Sequence, residues 1–155
     1  SDLLELYCGL GTFTLPLSQH FRRVLATEIS RVSVRAAQHN LADNGIANVT
    51  VGRMSAEEFA QGWASGEGRR MTEYNVADHQ FNTVFVDPPR AGLDADALAL
   101  VRQFPNILYI SCNPDTLLSN VSALADTHEI KRLALFDQFP YTHHREAGVL
   151  LQRRC

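Results

Sequence analysis

The sequence of 155 residues predicts one α/β domain: a doubly wound, mostly parallel sheet with an antiparallel edge strand. Three observations predict it. Short apolar runs alternate with helical stretches along the chain, the pattern of right-handed strand–helix–strand crossovers. Runs such as Thr83-Val84-Phe85-Val86 and Ile107-Leu108-Tyr109-Ile110 are continuously apolar, as central strands covered on both faces require. The last two runs have no helix between them, so they form an antiparallel pair at one edge.

Strands are expected over residues 3–7, 24–28, 48–51, 83–87, 107–111, 131–136 and 148–152. Helices are expected over residues 13–20, 32–44, 56–64, 94–103 and 114–125. Asn44-Gly45 stops the second helix and Pro114 opens the last. From Gly62 to Gln80 the chain is Gly-rich, charged and aperiodic, and it reads as a surface loop. The first strand opens almost at residue 1, as in a piece cut from a longer protein.

The composition is 45% hydrophobic and 20% charged, ordinary for a globular domain, and no apolar run reaches a membrane span. Cys8, Cys112 and Cys155 are odd in number and widely spaced. They form neither a disulfide framework nor a metal pattern, which points to a reduced, cytoplasmic protein. Nothing calls for a metal, a membrane or an obligate protein partner. The net charge of −3 does not announce a nucleic-acid enzyme, so the motifs must carry function.

The first motif is Glu5-Leu6-Tyr7-Cys8-Gly9-Leu10-Gly11-Thr12-Phe13, between a strand and a helix. Gly9 and Gly11 allow a tight turn and a close backbone approach to a ligand. Glu28 ends the next strand, where a carboxylate can accept both ribose hydroxyls of an adenosine. A dinucleotide fingerprint needs a third glycine where Thr14 stands, so a pyrophosphate fits poorly. That speaks against a nicotinamide oxidoreductase. The acid-x-x-x-Gly-x-Gly pattern resembles the first motif of class I methyltransferases, whose donor S-adenosylmethionine carries no phosphate; Tyr7 replaces the glycine often found there.

Two further motifs end the fourth and fifth strands. Asp87-Pro88-Pro89-Arg90 is a stiffened loop that directs Asp87 into the crevice. An aromatic residue would follow the prolines in an amino-group methyltransferase; Arg90 suits an anionic intermediate or a phosphate instead. Ser111-Cys112-Asn113-Pro114 places Cys112 before a helix start, where the helix dipole favours a thiolate. A thiolate beside a methyl donor suits carbon 5 of uracil, which is too weak a nucleophile unaided. Addition at carbon 6 activates it, and a base must then remove the carbon-5 proton.

These motifs, with the tail Phe136-Asp137-Gln138-Phe139-Pro140-Tyr141-Thr142-His143-His144, together resemble the RNA uracil-5-methyltransferases, class I enzymes with a Rossmann-like fold. The tail's wording is similar to the bacterial tRNA branch, which acts on uridine 54 of the T-loop; ribosomal-RNA branches usually read Asp-Met-Phe-Pro-His-Thr. The resemblance implies that Cys112 is the nucleophile and Glu146 the base. It implies a donor site lined by Tyr7, Gly9, Gly11, Thr12, Glu28 and Asp87, holding S-adenosylmethionine and releasing S-adenosylhomocysteine. The implied partner is the T-arm of tRNA, and residues 1–155 are the implied catalytic domain. In the tRNA branch Asn usually stands in place of Thr12. The family's N-terminal RNA-recognition region, with a pocket glutamine, falls outside this sequence. The alternatives are a ribosomal-RNA uracil-5-methyltransferase and a nucleotide- or RNA-binding module without catalysis.

Overall fold

In the computed structural model, residues 1–136 and 146–155 are described. The chain runs β1 (Asp2–Leu6), α1 (Thr14–Leu17), β2 (Arg23–Glu28), α2 (Arg31–Asp43), β3 (Val49–Arg53), α3 (Ala56–Ser65), α4 (Arg69–Glu73), β4 (Phe81–Val86), α5 (Ala95–Val101), β5 (Asn106–Ser111), α6 (Pro114–Leu124), β6 (His128–Phe136) and β7 (Glu146–Arg153).

The described strands form one sheet of order β3-β2-β1-β4-β5-β7-β6. Neighbours from β3 to β5 pair in parallel; β7 pairs antiparallel with both β5 and β6. The doubly wound sheet and its antiparallel edge pair are thus as expected, with β7 the inner member of the pair.

Strand alternation divides the core into two layers. Leu4, Leu6, Val84, Val86, Ile107 and Tyr109 pack under α3, α5 and α6, while Leu3, Val24, Ala26 and Phe85 pack under α2 with Phe13 and Leu15. β1 is buried at every position, Glu5 included. This double cover explains the continuous apolar runs.

Two expectations need correction. Residues 62–80 are not a plain surface loop: α3 continues to Ser65, and α4 and a 3-10 turn (Val76–Asp78) follow. Gly66 and Gly68 interrupt the helical period that Trp63, Met71, Tyr74 and Val76 would otherwise show, yet these four pack on the core. The helix expected over residues 13–20 is one α-helical turn passing into a 3-10 turn (Ser18–His20). Pro16, lacking an N–H, weakens its hydrogen-bond ladder. The tail motif at residues 137–145 lies outside the described residues.

Candidate active site

The sheet order reverses between β1 and β4, where an open α/β sheet leaves a crevice at its carboxyl edge. Strand register decides which residues meet there. Leu6 pairs with Val86, so Tyr7 and Asp87 each lie one residue beyond that pair. Ser111 pairs with Ala147, so Cys112 and Glu146 each lie one residue beyond that pair. Because β7 is reversed, its first residue meets the carboxyl end of β5.

The turn after β1 is tight. Tyr7 holds a φ of 58°, a left-handed conformation that costs a non-glycine residue about 1 kcal/mol or more. Cys8 N–H donates to Thr27 O and Gly11 N–H to Cys8 O, each at 3.0 Å. Gly11, at φ 86°, lets the turn lie against α2: a Cβ there would sit 3.4 Å from the Ala37 side chain. Beneath the turn, the Thr14 hydroxyl donates to Glu5 Oε2 at 2.6 Å, wholly inside the protein.

Carboxylates lie in the crevice and, at Glu5, beneath it. Burial pushes the Glu5 carboxyl up to about 7, opposed by the Thr14 hydrogen bond and assisted by Asp87. Asp87 is pushed up to about 6, by burial first and then by the charge of Glu146. The Tyr7 hydroxyl rises to about 12 through burial and then the charges of Asp94 and Glu57. Burial, then Glu5 and Glu28, push the Cys8 thiol up, so Cys8 stays a neutral core thiol. Glu28 accepts a hydrogen bond at Oε2 from Ser30 N–H at 2.6 Å, and its Oε1 is unengaged among the described residues.

Cys112 is exposed, in contrast to Cys8. Asn113 caps α6 by accepting from Asp115 N–H at 3.1 Å, and Ser111 Oγ accepts from Asn113 N–H at 3.0 Å. These bonds fix the bend at Cys112. Thr12 is exposed at the head of α1. The structure therefore brings Tyr7, Asp87, Cys112 and Glu146 to one edge of the sheet, with Gly9, Gly11 and Glu28 beside them. Sequence reading missed Thr14, Glu57 and Asp94. The first stood only as an absent glycine, and the other two carry no signal beyond helix starts.

This fold and this carboxylate-lined crevice define a Rossmann-like, class I methyltransferase domain. An rRNA methylase of Streptococcus thermophilus shares the fold over 99% of this chain and 86% of its own, with a TM-score of 0.70 at 13% identity. The family described as tRNA (uracil-5-)-methyltransferase matches residues 1–154, and the chain belongs to that family. It is 58% identical to a tRNA/tmRNA (uracil-C(5))-methyltransferase of Teredinibacter turnerae over 99% of its length. It is 60% identical, over the same share, to the protein of that name from Ectopseudomonas mendocina. The chain spans 42% of the length of each of these two relatives. A tRNA (uracil-54, C5)-methyltransferase of Pyrococcus abyssi, solved with S-adenosyl-L-homocysteine, is 28% identical with a TM-score of 0.74, over 96% of this chain and 33% of that one.

Proposed function

We propose that residues 1–155 are the catalytic domain of a cytoplasmic tRNA methyltransferase that transfers a methyl group from S-adenosylmethionine to carbon 5 of uridine 54 in the T-loop. Its membership of the tRNA (uracil-5-)-methyltransferase family supports the substrate. The observation that carries the mechanism is the shared position of Cys112 and Glu146 beyond the Ser111–Ala147 pair.

The crevice suits this donor. A sulfonium and an ammonium group are attracted to a site holding Glu28, Asp87 and Glu146, whereas a pyrophosphate is repelled. Glu28 would hold the ribose hydroxyls through Oε1. Tyr7, the Gly9–Gly11 turn, Thr12 and Asp87 would line the rest. When bound, S-adenosylmethionine supplies the electrophilic methyl group for carbon 5.

Cys112 adds as a thiolate to carbon 6 of the uracil, and the ring's electron pair shifts toward the carbon-4 oxygen. The exposure of Cys112 leaves it open to an incoming base. After carbon 5 has been methylated it carries both a proton and the new methyl group. Glu146 takes that proton, the ring double bond re-forms, and the Cys112–carbon 6 bond breaks.

The test is methyl label transferred at low salt by the intact protein to a T-loop RNA and to a ribosomal-RNA fragment, with calorimetric titration of S-adenosylhomocysteine and NADH; residues 1–155 alone should bind the donor weakly and methylate tRNA inefficiently. Label in the T-loop uridine and binding of S-adenosylhomocysteine alone are expected. Label only in the ribosomal fragment would move the reading to that branch, and binding of NADH instead would overturn it.

A further inference from the structure

Two loops meet at the crevice, one carrying Asp87 and Arg90, the other Cys112. They are fastened together at two points. At the first, Asn120 of α6, only 7% exposed, accepts at Oδ1 from the Tyr109 hydroxyl at 2.7 Å and from Leu93 N–H at 2.9 Å. The Leu93 N–H can only donate, so the amide oxygen must face it. Tyr109 lies on β5 shortly before Cys112, and Leu93 closes the Asp87 loop. At the second, the Arg90 carbonyl accepts from Asn113 Nδ2 and from Thr116 Oγ1, both at 3.0 Å.

Gly92 shows how close the two segments lie. Its φ is 77°, and a Cβ there would stand 2.7 Å from Asn120 Oδ1 and 3.2 Å from Thr116 Cβ. The Asp87 loop therefore lies against α6 with no side chain between.

We infer that Asn120 is a positioning residue that sets the Asp87 loop and Cys112 at a fixed separation for the reaction proposed above, on which this inference rests. Asn120 is buried and acts through its neighbours: Tyr109 on the Cys112 side, the Leu93 amide on the Asp87 side. One acceptor oxygen thus ties the loop that carries Asp87, one wall of the donor site, to the segment that carries the nucleophile. Such geometry matters for rate more than for donor binding, because Glu28 and the Gly9–Gly11 turn stand on other elements.

The test compares Asn120→Leu, Asn120→Asp and Thr116→Val with the parent in tRNA methylation, S-adenosylhomocysteine binding and thermal melting. A misplacement of about 1 Å can cost about a hundredfold in rate, so Asn120→Leu should lower kcat roughly ten- to hundredfold, with donor affinity within about twofold of the parent. Asn120→Asp keeps the acceptor oxygen and should recover most of the loss. Thr116→Val, at a less buried site, should lower kcat severalfold without shifting Tm. An unchanged kcat in Asn120→Leu and Thr116→Val, beside an active parent, would leave the proposed function standing and overturn this role. An intact parent protein that transfers no methyl group to RNA removes both. If Asn120→Leu does not fold, Tyr109→Phe, which removes the hydroxyl that Asn120 Oδ1 accepts, decides: an unchanged kcat overturns the role.

Discussion

Cys112 and Glu146, distant in sequence, each lie one residue beyond the Ser111–Ala147 pair, at the edge where Asp87 feels the charge of Glu146. Their proposed roles fall on successive steps, so their variants should fail differently. Cys112→Ala should give neither methylated RNA nor a covalent protein–RNA band on a denaturing gel. Glu146→Gln in the intact protein should add and accept the methyl group, then stall as a shifted band carrying methyl label. A band surviving in Cys112→Ala would assign the nucleophile elsewhere, and normal turnover by Glu146→Gln would assign the base elsewhere.

In the proposed donor site Glu28 keeps Oε1 for the ribose while Ser30 N–H holds Oε2. Glu28→Gln weakens a charge-assisted hydrogen bond, a loss of roughly 1.5–3 kcal/mol. Calorimetry should show S-adenosylhomocysteine affinity falling by about one to two orders of magnitude. Unchanged affinity would remove Glu28 from the site.

Glu5 is a buried carboxyl raised from 4.5 to about 7. A raised carboxyl binds its proton more tightly in the folded state, so its contribution is fullest below pH 4.5 and is lost as pH rises to about 7. Glu5→Gln mimics the protonated form and can still accept from Thr14. It should match the parent near pH 4.5 and exceed it above pH 7, by up to roughly 3 kcal/mol. Denaturant unfolding across this range decides. A variant less stable than the parent at pH 8 would show that the ionised carboxylate is held favourably.

Asp2 shows the opposite sign. It is fully buried and takes a two-pronged bond from Arg22, at 2.9 and 2.7 Å, and one from Gln80 N–H at 2.7 Å. Arg22 holds its carboxyl at about 2, below the usual 3.8. This contribution is present above pH 3.8 and is lost as pH falls through about 2. Arg22→Met leaves a buried carboxylate with one partner fewer. It should cost roughly 1–3 kcal/mol at pH 7, with the deficit narrowing in acid. A deficit constant with pH would mean that Arg22 contributes packing alone.

Much of the fold was legible because strands buried on both faces and helices buried on one leave different periods in sequence. Val84–Val86 and Ile107–Tyr109 announced the sheet centre, and Pro114 announced the head of α6. Residues 62–80 were misread because glycines break the period while Trp63, Met71 and Tyr74 still find the core. Packing there overrides local pattern.

The sequence alone determined the order of elements, the glycine turn after β1 and the chemistry available at Cys112, since backbone freedom and side-chain identity are local properties. Tertiary structure decided who meets whom. Strand register places Glu146 at the end of β5 beside Cys112, and the packing of helices on the sheet turns Thr14 onto Glu5 and hangs the Asp87 loop on Asn120. The first depends on the hydrogen-bond ladder between β5 and β7, where a shift of one residue would send each strand side chain to the opposite face; the other two depend on how α1 and α6 pack, which no local pattern fixes.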